Sequence, residues 1–274
     1  MNYIELRQLQ NLDYGLVCPV HVPDPIENIA QCHVCLRKGG ITREHVPPQG
    51  AFNKERRTWD RLHVRGNDAR IVRTPIAAGH YVRTLCHECN TVRCKPYAEE
   101  YSRFVQSLRE KPAILASDGL YLVTVAQNKL FLAKQIATMI LASEPMVFAR
   151  RERALRQFVL NPLRMICPRF RVLAFLVVKD DAAGTVNRWH GRADLFSRGY
   201  DFAGGEISSY PFGFVYTVKI GSSYKPRELT DITNWFTGGT LEPERFGVHW
   251  TGVGSISDAV GHKRRRAQVD WVTG

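Results

Sequence analysis

Cys32 and Cys35 form one C-x2-C pair and Cys86 and Cys89 form a second, with Glu44 and His45 between them and Asn90 directly after. Two thiols separated by two residues can grip one metal from a tight turn. Two such turns complete the tetrahedron of soft, deprotonated ligands that zinc takes. Cys32, Cys35, Cys86 and Cys89 are therefore read as a structural zinc site. The competing reading, redox dithiols or buried thiols, lacks the strand-then-helix context of a thioredoxin-like motif. His33 and His87 lie inside the knuckle turns as spare ligand candidates whose ordinary place is the surface. Cys94 falls near the frame on the following helix, while Cys18 and Cys167 read as core thiols.

The about fifty residues between the knuckles exceed a compact zinc ribbon, so something is inserted there, and the insertion carries Glu44 and His45. Hydrolysing a phosphodiester needs a base to deprotonate water and a cation to neutralise charge on the phosphate and the leaving oxygen. A histidine beside a carboxylate supplies both. An extended strand sends adjacent side chains to opposite faces, so the turn at Pro47 and Pro48 must help to bring Glu44 toward a metal. Asn90, where a helix should begin, offers a carbonyl oxygen to the same ion. Oxygen ligands suit magnesium or manganese.

The order C-x2-C, Thr42-x-Glu44-His45-Val46-x-Pro48, C-x2-C-Asn90 resembles the zinc-knuckle branch of the HNH endonucleases, over about residues 31–105, under a third of the chain. The resemblance implies an α+β chain with a ββα-metal module, in which a hairpin and a helix pinch one divalent ion, Mg2+ or Mn2+. A structural Zn2+ then joins the two ends. By the same resemblance His45 is the general base, Glu44 a metal ligand and Asn90 the second ligand. Members of the family usually carry an Asn or His about nine residues before the final Asn, where it orients the base; here that position is Tyr81, beside His80. Either His80 takes the role through a one-residue shift, or Tyr81 does so through its hydroxyl, or His80 is structural. The implied activity is hydrolysis of DNA, with RNA as the alternative substrate. Comparable modules joined to an unmarked second domain suggest bacterial restriction or phage defence, by analogy alone. One such site ordinarily cuts one strand, so double-strand cleavage would require a second copy of the chain, a second nick or a partner protein of a defence system; DNA is the expected partner. A different class of function stays open, a non-catalytic zinc module that binds nucleic acid or protein.

Charge agrees with a polyanionic partner: the 274 residues carry a net charge of +12 and a pI near 9.6, a field that attracts nucleic acid, or an anionic membrane surface as the bland competitor. Arg83 and Arg93 flank the second knuckle and either bind the scissile phosphate or pair with Glu88 and Glu99 on the surface. From Pro48 to Tyr81 the chain carries Lys54, Arg56, Arg57, Arg61, Arg65, Arg70 and Arg73 among Phe52 and Trp59. That mixture suits phosphate contact with base stacking, and Arg56 and Arg57 are taken as substrate contacts; the solvated side of a loop is the plain alternative. The run His262 to Arg266 reads the same two ways.

These residues need elements to hold them. Pro19, Pro23 and Pro25 disfavour regular structure in residues 1–30, which read as an extended arm packing through Ile4, Leu6 and Leu9. Residues 31–112 form the candidate nuclease module, with Gly39 and Gly40 marking a turn. Tyr97, Tyr101, Phe104, Val105 and Leu108 recur at helical spacing, predicting a helix from near Asn90 to before Pro112. Residues 113–274 read as a C-terminal α+β domain. Its expected elements are a strand at Leu120–Val125, helices at Asn128–Ser143 and Arg150–Leu160, and strands at Arg171–Lys179 and about Phe214–Ile220. The apolar window Leu130 to Leu141 is too short to span a bilayer and reads as a buried helix. No targeting segment is expected in Met1 to Arg7, no membrane partner is expected, and an odd number of cysteines with four in metal-type pairs suits a reducing cytoplasm.

Overall fold

The computed structural model describes residues 30–53, 57–65, 68–76, 79–110, 114–115, 120–125, 128–166, 168–177, 185–193, 200–218, 230–238 and 244–251. The expectations for the N-terminal arm, Cys18, Lys54, Arg56, Cys167 and the basic run 262–266 lie outside these residues. The fold is mixed α+β.

Strand β1 (Ile41–His45) pairs antiparallel with β4 (Tyr81–Cys86), from Ile41↔Cys86 to His45↔Tyr81, with one extra residue accommodated in β4 between Val82 and Leu85. The turn expected at Gly39 and Gly40 feeds β1, both glycines taking positive φ (79° and 63°), where a side chain would strain the backbone. Between β1 and β4 the chain runs out and back as β2 (Arg57–Arg65) and β3 (Asp68–Ile76), an antiparallel ribbon with nine paired positions. After β4, a π-type turn at Glu88–Arg93 leads into helix α1 (Lys95–Glu110). The expected helix therefore comes in two pieces. The wide turn is closed by Cys94 N donating to Cys89 O (3.0 Å), and both cysteines face the interior. Tyr97, Tyr101, Phe104 and Val105 form the buried stripe of α1, as their spacing predicts.

The rest of the chain builds an eight-stranded sheet from β5 (Ile114–Leu115), β6 (Leu120–Val125), β7 (Phe170–Val177), β8 (Thr185–Ala193), β9 (Tyr200–Ser209), β10 (Phe212–Val218), β11 (Thr230–Asp231) and β12 (Glu244–Thr251). Its order is β5-β6-β12-β7-β10-β9-β8, with β11 also on β7; every pairing is antiparallel except β12 with β7. Helix α2 (Lys129–Ser143) begins at Asn128, whose side chain accepts from Phe131 N, a cap worth about 1 kcal/mol. Residues 129–130 and 132–142 of α2 are all buried, so the helix is enclosed on every side. Among the described residues no helix is long and apolar enough to cross a membrane. The single helix expected at Arg150–Leu160 is two, α3 (Met146–Arg151) and α4 (Arg153–Leu160), because Glu152 leaves the helical region (φ −84°, ψ 58°).

One apolar cluster runs from the cysteine-bearing strands through α1, α2 and α4 to the sheet. Phe212 of β10 meets Tyr101 and Phe104 of α1 edge-on, and Phe236 stacks on Phe158 of α4. Helix C-termini leave carbonyls without partners inside the helix, and here side chains from elsewhere supply them. His33 Nδ1 donates to Leu141 O (2.8 Å) and Thr84 Oγ1 to Ala142 O (3.0 Å), closing α2. Tyr97 OH donates to Val159 O, while Lys134 Nζ donates to Phe158 O, Asn161 O and Arg164 O, closing α4. Lys134 is wholly buried, and burial together with the Arg164 charge draws its ammonium down to about 8. The three carbonyls are what make a charged form tolerable there.

Candidate metal centre

The four sulfurs of Cys32, Cys35, Cys86 and Cys89 lie within 4.8 Å of one another. Cys35 Sγ and Cys86 Sγ are 3.6 Å apart, and a tetrahedral zinc with Zn–S bonds of about 2.3 Å sets its sulfurs roughly 3.8 Å apart. The donor set and spacing fit zinc. The first knuckle folds tightly, with Leu36 N donating to Cys32 O, Cys32 N donating to Arg37 O, and Leu36 at a left-handed φ of 61°. Backbone bonds then lock the knuckles together: His33 N donates to Thr84 O (2.8 Å) and His87 N to Gly40 O (3.0 Å).

The thiols are unequal. A hydrogen bond from Cys89, helped by the backbone N–H groups of Cys35, Cys86 and Val34, holds Cys32 down at about 4 against the opposing effect of burial. Burial, reinforced by the neighbouring Cys32 charge, pushes Cys35 up, and the bond to Cys32 together with burial pushes Cys89 up. Ionising all four thiols together requires a cation in their midst. Cys94 stays outside the cluster; burial pushes its thiol up to about 12, and Thr138 Oγ1 lies 3.9 Å from its sulfur. His33, expected at the surface, is instead buried and serves as the helix cap described above, because Leu141 O needs a donor. His87 is exposed, and neither histidine belongs to the cysteine cluster.

The other predicted site residues gather around the end of β1. Asn90, in the π-type turn, donates through Nδ2 to Thr42 Oγ1 (3.0 Å) and Arg43 O (2.7 Å). These bonds orient its amide, and Oδ1 accepts no hydrogen bond among the described residues. Glu44, two positions beyond Thr42, falls on the same face of β1. It is 8% exposed, accepts no hydrogen bond from the described residues, and burial pushes its carboxyl up to about 8. His45 falls on the reverse face, opposite Tyr81, with ring centroids 6.0 Å apart; Arg43 lies over the same Tyr81 ring at 4.9 Å. The amide of Gln49 lies 3.1 Å from His45 Nε2. Asn90 is thus bonded to Thr42 and Arg43 of β1, while alternation puts Glu44 on the face of Thr42 and His45 on the other.

Arg83 is exposed on β4, Arg93 pairs with Glu88 (3.3 Å), and Arg57 opens β2. An open groove of about 770 Å³ runs beside Asn90, between Pro48 and Gly50 on one wall and Lys95, Ser102 and Arg103 of the helical wall.

One residue of this region carried no sequence signal. Asn53 is 1% exposed; its Nδ2 donates to Pro47 O (2.6 Å) and His80 O (2.8 Å), and its Oδ1 accepts from His80 N (2.8 Å). It ties the segment after His45 to the segment before Tyr81. Gly79, at φ 76°, leaves room for this contact, since a Cβ there would lie 2.1 Å from Asn53 O. No protein-family model, curated protein or solved structure matches the chain.

Proposed function

We propose that this protein is a metal-dependent endonuclease that hydrolyses DNA phosphodiester bonds at the end of β1, and that β1, β4 and the helical segment entered at Asn90 are a ββα-metal module held by a structural zinc. The observation that carries the reading is the desolvated carboxyl of Glu44, two residues along β1 from Thr42, to which the oriented amide of Asn90 is bonded. A buried carboxyl without hydrogen-bond donors is costly unless a cation or a proton neutralises it. Oxygen donors of this kind suit Mg2+ or Mn2+. Such an ion, when bound, would neutralise charge on the phosphate and the leaving oxygen.

The chain's own groups do the rest. His45 lies one residue from Glu44, with Cα atoms about 3.8 Å apart, so a phosphodiester crossing the strand end is within reach of both faces. Its imidazole takes the proton of the attacking water, and the Gln49 amide fixes the ring. Arg83 offers a guanidinium to a phosphate oxygen. Arg93 contributes less, because Glu88 already competes for its charge. The groove beside Asn90 would give the DNA strand a path along the helical wall.

The test is a time course on supercoiled plasmid with zinc-loaded wild type and His45→Ala, each with and without Mg2+ or Mn2+. Nicking should require the added ion and fall about 100-fold or more in the variant. Zinc-loaded protein that nicks with neither ion, or unchanged cutting by His45→Ala, would overturn the proposal. The placement of His45 and Glu44 on opposite faces favours a second reading, a non-catalytic zinc module that binds nucleic acid. On that reading binding is salt-sensitive and indifferent to Mg2+, and His45→Ala changes stability alone.

A further inference from the structure

The ribbon β2–β3 interrupts the module at the strand end that carries His45, and its pairing runs from Arg57↔Ile76 to Arg65↔Asp68 without a slip. Alternation along paired strands sorts its residues onto two faces. One face takes Arg57, Trp59, Arg61, His63 and Arg65 from β2, with Arg70 of β3 opposite His63 and the apolar Val72 and Ile76 opposite Arg61 and Arg57. The other takes Leu62 opposite Ile71 and Val64 opposite Ala69, with Arg73 opposite Asp60. Four arginines on the first face stand against one acid, Asp68. On the second face the single arginine and single aspartate cancel.

We propose that this ribbon is an arm that grips double-stranded DNA, with its arginine face along the major groove next to the cleavage site; the inference rests on the nuclease reading for its ligand and names the form of that ligand. Charge complementarity is the first support, since a one-sided row of guanidiniums matches a continuous polyanion. Dimensions are the second. Paired strands lie about 4.8 Å apart, and a groove about 12 Å wide admits a two-stranded ribbon. Nine residues at about 3.4 Å each span roughly 30 Å, close to one duplex turn of about 34 Å. Residues on one face recur about every 6.8 Å, the rise of two nucleotides along a strand.

The root of the arm is fixed where cutting would occur. Asn53 bonds Pro47 O and both backbone groups of His80, drawing together the two chain segments that leave and re-enter the β1–β4 pair. A duplex held by the ribbon would therefore be presented to the end of β1. On the protein's side, β2 comes alongside β8 of the large sheet.

The experiment measures binding of the full-length, zinc-loaded protein to a fluorescent 30-base-pair duplex by anisotropy, over a series of salt concentrations and without added Mg2+ or Mn2+. The triple variant Arg61→Ser, Arg65→Ser, Arg70→Ser should bind at least about 30-fold more weakly, with the slope of log affinity against log salt smaller by about 2.7, or 0.9 per lost phosphate contact. Arg73→Ser should change affinity less than about twofold, a single solvated charge on the neutral face. The same triple substitution to Lys should restore most of the affinity, which separates lost charge from a misfolded arm. Wild type should shield guanine N7, a major-groove atom, from methylation, and the serine variant should not. Three results would each overturn the proposal: duplex binding by the serine variant within twofold of wild type, tighter binding of the single strand than of the duplex, or loss of a dimer in the serine variant with duplex affinity unchanged, which would make the ribbon a self-association arm. Because binding is read without the catalytic ion, a protein that grips duplex through the ribbon yet never nicks plasmid would sink the nuclease reading and leave this one standing.

Discussion

The cysteine frame and the α2–α4 junction each bury groups that water would otherwise satisfy, and they do so by opposite means. In the frame, four thiols converge, so balancing their charge on ionisation depends on an ion acquired from outside. At the junction the cation belongs to the chain: Lys134 places its ammonium among three carbonyls and over the Phe158 ring at 3.7 Å. The first arrangement should make folding of the frame depend on metal, the second only on packing. His33 and Thr84 join the two by capping α2 from the frame. Loss of zinc should therefore be felt well beyond the knuckles.

Several substitutions would break or sharpen this contrast. Cys89→Ser should have the largest effect: a structural zinc contributes about 10–16 kcal/mol of apparent binding energy, more than most domains have to lose. The variant should bind no zinc and show no cooperative melt for the module by circular dichroism. A wild-type melting curve would mean that the frame does not depend on its ion. Lys134→Met should come next, at about 3 kcal/mol, because three carbonyls lose a charged donor. Its zinc content should stay at one per chain, and a variant that lost zinc as well would erase the distinction between the regions. Asn53→Ala should cost about 2 kcal/mol and speed hydrogen exchange at the His80 and Val46 amides, both at the root of the ribbon. Arg93→Ala should be smallest, under about 0.5 kcal/mol in chemical denaturation, since the pair with Glu88 is solvent-exposed on both sides.

What was legible in the sequence was whatever local spacing controls. Two C-x2-C turns announce converging thiols because each turn is complete within four residues. The stripe Tyr97, Tyr101, Phe104 and Val105 and the apolar-rich run of α2 declare helices, and Asn128 marks the start of α2. The ribbon was not legible. Arginine at every fourth position, 57, 61 and 65, produces no apolar alternation, so the stretch resembles a solvated loop; the usable cue was Gly66-Asn67, a pair suited to two-residue hairpin connections, between runs containing Val64 and Ile71. Asn53 was invisible for another reason. Its partners are backbone atoms of Pro47 and His80, which leave no mark in side-chain identity. His33 reads as an exposed turn residue until the end of α2 is in place to receive it. Sheet order, including the one parallel neighbour of β7, is set by contacts far apart in the chain.

The account turns on whether the frame holds Glu44 and Asn90 so that a second ion binds between them. The direct measurement is a calorimetric titration of Mn2+ into zinc-loaded wild type, Glu44→Gln and Asn90→Ala. One Mn2+ per chain in wild type, with affinity reduced about tenfold or more by either substitution, is the predicted result. Wild type that takes up no Mn2+, or variants that bind it as tightly as wild type, would contradict the account.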